Sequence, residues 1–141
     1  MLKALAAARR AAVRDEVPVG AVLYAGGKPI ASAGNRTKKS LDPGLHAEMI
    51  VLRKAAKKLG RWRLTDATLY STAEPCVHCA AACVLFRVGR VVYGCPEPKF
   101  GGVESRLRVF DSGLNHKPQV RGGVLAQEAA QLLRSFFRKK R

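Results

Sequence analysis

Cys76, His78, Cys79 and Cys83 fall within eight consecutive positions of the stretch STAEPCVHCAAACV. Thiolate and imidazole are donors for zinc, and closely spaced cysteines also carry out thiol–disulfide exchange. A helix through this stretch decides which side chains can converge. Residues three apart share a helical face, so Cys76 and Cys79 can reach one ion. His78 is turned by roughly 200° from Cys76 on helical geometry and points elsewhere. Cys83 lies roughly 10 Å further along the axis, too far to share an ion held by zinc–sulfur bonds of about 2.3 Å. It reads instead as a small packing residue beside Ala80, Ala81 and Ala82.

Two cysteines do not complete a zinc site, and three other residues could add a donor: His46, His116 and Cys95. His116 stands in DSGLNHKPQ, a loop-like setting, and Cys95 in YGCPEP has no partner at ligand spacing. His46 is followed two positions later by Glu48, upstream of Pro75-Cys76-x-x-Cys79. Alone, Glu48 reads as an ordinary acid in the first turn of a helix, where the macrodipole favours it. Together, HAE and PCVHC form the signature of zinc-dependent deaminases. The donor chemistry agrees. Two thiolates neutralise Zn²⁺, an imidazole makes a third ligand, and a fourth position stays open for water, the arrangement of catalytic sites. Helix N-termini beside the cysteines help keep them as thiolates. One zinc per chain is expected.

These side chains must be held by strands alternating with helices. MLKALAAARRAAVRDE reads as an amphipathic helix with Leu2, Leu5, Ala8 and Ala12 on one face. VGAVLYAGGKPIASAGN reads as two strands joined by a hairpin at Ala25-Gly26-Gly27. NRTKKSLDPG reads as a loop, and LHAEMIVLRKAAKKLG as a helix stopped by Gly60. ATLYST is a strand, Glu74-Pro75 starts the cysteine-bearing helix to about Phe86, and RVVYG is the next strand. A short helix in GGVESRLRVFDSG, an extended KPQVRGGV and a final helix AQEAAQLLRSFFRKKR follow. The alternation predicts an α/β domain with helices covering a sheet.

The chain of 141 residues fits one domain, with no repeat, low-complexity stretch or composition break. Its net charge of +16 attracts polyanions, of which nucleic acid and anionic membrane surfaces are the usual ones. No apolar run approaches the roughly 20 residues of a membrane helix, so no membrane partner is expected. With no export signal, the expected location is the cytoplasm, where cysteine clusters bind metal or do redox chemistry.

Over almost its whole length the sequence resembles the tRNA-specific adenosine deaminases of bacteria. The resemblance rests on EVPVGAVL, GNR, DP ahead of HAE, RLTDATLYSTAEPCVHCA, RVGRVVYG, GLNHKPQVRGGVLAQEAAQLL and the terminal SFFRKKR. It implies a three-layer α/β/α cytidine-deaminase-like fold with a central mixed sheet of about five strands. It also implies a homodimer, and conversion of the wobble adenosine of a tRNA anticodon stem-loop to inosine. By matching position, His46, Cys76 and Cys79 hold the zinc and Glu48 shuttles protons. Asn35 and Ala47 border the flipped nucleotide, and Glu97, Lys99, Phe136, Phe137 and Arg138 border the anticodon loop. The sequence departs from the pattern at Pro96 and Phe100 in PEPKFGG, at Ala73 before Glu74, and at His78, where methionine is common.

Three other readings compete outside this branch. A free-base or nucleoside deaminase for guanine, cytosine or cytidine needs no extended basic surface. A non-catalytic, zinc-stabilised RNA-binding module needs a fourth protein ligand that the spacing does not offer. A thioredoxin-like pair explains Cys76 and Cys79 but neither HAE nor the charge.

Overall fold

The computed structural model describes residues 1–141. Helix α1 (Leu2–Val13) precedes a hairpin of β1 (Gly20–Ala25) and β2 (Lys28–Gly34), then a one-turn helix α2 (Thr37–Ser40) and helix α3 (Ala47–Leu59). Strand β3 (Ala67–Ala73), helix α4 (Val77–Leu85) and strand β4 (Arg90–Cys95) form a β-α-β unit. A 3₁₀ turn (Val109–Asp111), a short β5 (Gln119–Arg121) and helix α5 (Ala126–Arg138) complete the chain.

The five strands lie in the order β2-β1-β3-β4-β5. Strand β1 is antiparallel to both β2 and β3, whereas β3, β4 and β5 run parallel. The sheet is therefore mixed, as expected. Helices α1 and α5 pack on the strands and on each other, and α3 covers β1, β2 and β3 and touches α4. The main core joins Leu23, Leu69 and Val91 of the sheet to Val51 and Leu52 of α3 and to Cys83 and Val84 of α4. A smaller one gathers Leu5, Ala73, Cys95 and Ala129 beneath α1 and α5. These are the three α/β/α layers. No helix is long and apolar enough to cross a membrane.

The hairpin forms where expected. Gly26 and Gly27 have φ of 57° and 71°, the left-handed pair that a two-residue turn between twisted strands requires. Gly60 ends α3 with φ 66°.

Three local expectations are corrected. The buried stripe of α1 is Ala4, Leu5, Ala7, Ala8 and Ala11, while Leu2 is 74% exposed. The cause is close approach: a Cβ on Gly20 would stand 2.1 Å from the Ala4 carbonyl oxygen, so only alanines fit that contact. The loop NRTKKSLDPG contains α2, whose first turn is held by the buried Glu16 carboxylate. It accepts bonds from the amides of Lys38 and Lys39 and from the Thr37 hydroxyl. The cysteine helix begins at Val77 rather than at Glu74-Pro75, with Cys76 as its N-cap. Glu74 and Pro75 instead cross to a neighbouring loop: Gly102 N–H donates to Pro75 O, and Val77 N–H to Phe100 O.

Candidate metal and deaminase site

Two helix starts build the site. His46 is the N-cap of α3 and Cys76 the N-cap of α4, each with extended backbone. An N-cap side chain ordinarily turns back to accept an amide bond from its own helix. Neither does so here. Both side chains are free to face the gap between the helices, where Cys79, in the first turn of α4, meets them. His46 Nδ1 lies 3.4 Å from Cys76 Sγ and 3.5 Å from Cys79 Sγ. All three donor atoms fall within 4.8 Å of one another. Bonds of about 2.3 Å to sulfur and 2.0–2.1 Å to nitrogen give a tetrahedral S–N edge of about 3.5 Å. The cluster is thus shaped and chemically suited to hold one zinc ion.

The expectation that Cys76 and Cys79 converge holds, but the reason changes. They meet as cap and first-turn residue, not as two positions on one helical face. His78 is exposed, with its ring 6.3 Å from that of His46, and supplies no donor to the cluster. Cys83 is buried in the main core. Cys95 is buried at the end of β4, and His116 bonds the Val88 carbonyl through Nε2.

The electrostatics ask for a cation. A hydrogen bond from Cys79 and, against the opposing effect of burial, one with His46 hold the Cys76 thiol far below its ordinary value, at about 4. The hydrogen bond with Cys76, and burial beside it, push the Cys79 thiol up. The hydrogen bond with Cys76, opposed by burial, raises the His46 pKa. A divalent ion would stabilise both sulfurs as thiolates and the imidazole as neutral.

Glu48 stands in the first turn of α3, 3% exposed. Its Oε1 accepts a bond from the Ser71 hydroxyl of β3 at 3.1 Å. Its Oε2 is buried with no partner in the protein. Burial pushes the carboxyl above the usual carboxylate range. An orphaned buried oxygen beside a three-donor cluster marks the place of a missing polar partner. Asn35, buried just after β2, accepts the Ala47 amide through Oδ1 at 2.8 Å and so fixes the first turn of α3.

Ser71, Glu16 and Glu74 were not evident as site residues from sequence. Glu74 is the most consequential. One carboxylate accepts amide bonds from Glu97, Val103, Glu104 and Ser105, and a further one from the Ser105 hydroxyl. Burial works to raise its pKa, but the Glu104 and Ser105 donors outweigh it and hold the carboxyl below its ordinary value of 4.5. The clamp is therefore fully formed above 4.5 and is lost as pH falls through the lower folded value. It fastens the loop carrying Glu97, Lys99 and Phe100 to the cysteine segment, where Cys76 pairs with Gly101. Phe136, Phe137 and Arg138 lie elsewhere, on α5, which packs against β3, β4 and α1. Phe136 is half-buried and Phe137 is 47% exposed, the two rings meeting edge to face.

Residues 1–95 match the model of the cytidine and deoxycytidylate deaminase zinc-binding region. The chain belongs to this deaminase family. The matched span contains the whole His46-Cys76-Cys79 cluster and Glu48. Across 98% of this chain and 91% of the relative, it is 49% identical to a tRNA-specific adenosine deaminase of Agrobacterium fabrum. It is 43% identical to the corresponding Bacillus subtilis protein, over 100% of this chain and 88% of that one. A solved structure from work on A-to-I editing by tRNA:A34 deaminases superposes with a TM-score of 0.92. It is 47% identical and covers 94% of this chain and 97% of the other. A guanine deaminase from Nitrosomonas europaea shares the deaminase fold at a TM-score of 0.82 and 24% identity.

Proposed function

We propose that this deaminase converts the wobble adenosine of a tRNA anticodon to inosine by hydrolysis, with residues 1–141 acting as one domain. The observation that carries the chemistry is the unpartnered Glu48 Oε2 beside the His46-Cys76-Cys79 cluster. The substrate assignment is supported by the full-length relatives that act on tRNA and by the net charge of +16.

Hydrolysis adds water across the adenine C6 position, and the C6–N bond breaks to release ammonia. Bound zinc supplies Lewis acidity and an acidified water, whose pKa it lowers to about 7. Glu48 accepts the first proton of the attacking water and passes it to ring N1, then takes the second from the hydroxyl formed on C6 and delivers it to the departing amine, so that inosine keeps its N1 proton and ammonia leaves. Ser71 keeps Oε1 occupied, so Oε2 is the oxygen that works. Asn35 and Ala47 hold the flipped nucleotide at the start of α3. Glu97 and Lys99 face the anticodon loop, as do Phe136, Phe137 and Arg138 in a homodimer in which each copy adds RNA-binding surface. The expected location is the cytoplasm, where tRNA is.

The Glu74 clamp places the Glu97–Phe100 loop. Glu74→Gln puts an amide NH₂ among amide donors, at a cost of about 1–3 kcal/mol. We expect retained zinc, a kcat little changed and a KM for RNA raised about tenfold. An unchanged KM would show that the loop does not meet RNA.

Turnover of an adenosine-bearing anticodon stem-loop beside free adenine, guanine, cytosine and cytidine tests the assignment. Inosine should form only in the RNA, at a rate falling steeply with salt. Faster turnover of a free base would overturn it.

A further inference from the structure

A basic, aromatic surface stands at the opposite end of α3 from the site. Between Arg53 and Asp66 the chain carries six cations and one anion. Arg53, Lys54, Lys57, Lys58, Arg61 and Arg63 are all exposed. Trp62, the only tryptophan, is 52% exposed. Gly60, Arg61, Trp62, Arg63 and Thr65 line a surface depression of about 550 Å³. Thr65 continues into a second one bordered by Gly89, Arg90 and Gln119. Helix α3 spans about 20 Å, so this surface is separate from the metal cluster.

The patch is built, not loose. Arg61 N–H bonds the Ala56 carbonyl at the end of α3, and the fully buried Leu64 bonds Phe86 O. The Arg61 guanidinium is forked onto both carboxylate oxygens of Asp66, at 2.7 and 2.8 Å. The Arg63 guanidinium lies 5.0 Å over the Trp62 ring. Because the turn is held on both sides, little order is lost when a ligand docks on it. The C-terminal end of a helix repels anions, so the side-chain cations carry any phosphate binding.

We propose that Trp62 and Arg63, with the exposed Lys57 in the last turn of α3 and Arg90 at the adjoining depression, form a second RNA-binding surface. It holds parts of the substrate RNA outside the anticodon stem-loop: Trp62 stacks on an exposed base, and the cations grip the adjoining phosphates. Charge complementarity selects a polyanion, and the exposed indole selects one with bases. The proposal rests on the reading that the substrate is a folded tRNA.

The test compares a full-length tRNA transcript with its isolated anticodon stem-loop. Trp62→Ala should weaken binding of the full tRNA about tenfold, the effect of losing one stacked base. Binding and turnover of the stem-loop should stay unchanged. Arg63→Ala should weaken full-tRNA binding and lower the slope of log affinity against log salt by about one. Heparin, charged but without bases, should lose affinity in Arg63→Ala and not in Trp62→Ala. Wild-type affinity of both variants for the full tRNA overturns the proposal, as does an equal loss on both RNAs. A heparin loss in Trp62→Ala overturns the stacking role. Absence of inosine with the wild-type protein contradicts the proposed function alone, because the binding comparison can still be read.

Discussion

Glu48→Gln should lower the rate of inosine formation by about 10²- to 10⁴-fold, the range a general acid–base group contributes. Zinc content and RNA affinity should stay at wild-type values. The substitution is nearly isosteric, and the glutamine oxygen can still accept the Ser71 bond that now goes to Oε1. Only the proton-carrying oxygen is replaced, at the atom that has no partner in the protein. Loss of activity with metal and RNA binding intact therefore isolates proton transfer. Ser71→Ala is a milder change, since Glu48 keeps both oxygens and loses one orienting bond. Turnover in Glu48→Gln equal to wild type would remove this carboxylate from the chemistry.

Removing a donor should have the other large effect. Cys79→Ser or His46→Ala should abolish bound zinc and turnover together, because two remaining protein donors do not hold the ion. Zinc present at 100- to 1,000-fold above its dissociation constant stabilises the fold by about 3–4 kcal/mol. Its loss should lower Tm by about 10 °C in a chain of this size. Chelation of the wild-type protein should reproduce that shift. Cys83→Ala is the control: this buried thiol belongs to the core, so the variant should lose some stability and keep its zinc. Metal loss in Cys83→Ala matching that in Cys79→Ser would contradict the three-donor site.

The convergence of His46, Cys76 and Cys79, with Glu48 in the turn after His46, was legible because these residues sit in two short segments, each at a helix start. The hairpin at Gly26-Gly27 and the helix stop at Gly60 were legible for the same local reason. What the sequence hid depends on contacts made over distance. Ser71 reaches Glu48 across a strand-to-helix packing that no spacing rule encodes. Glu74 looks like a helix-start acid until its carboxylate is seen gathering amides from a loop some thirty residues later. Glu16 likewise creates a helical turn in a segment whose own composition reads as loop. Leu2 shows the opposite error, an apolar residue assigned to the core that the close approach of α1 to Gly20 leaves outside. The basic tail at Phe136–Arg138 reads plainly as an RNA segment, yet its helix belongs to the layer carrying α1, away from α3 and α4.

Wobble editing is tested most directly by position-resolved nucleoside analysis of a full-length tRNA with adenosine at its wobble position, treated with purified, zinc-loaded protein. Inosine should appear at that one position, approaching one per tRNA, with every other adenosine unchanged. A tRNA without inosine, or with inosine scattered through its loops, would contradict it.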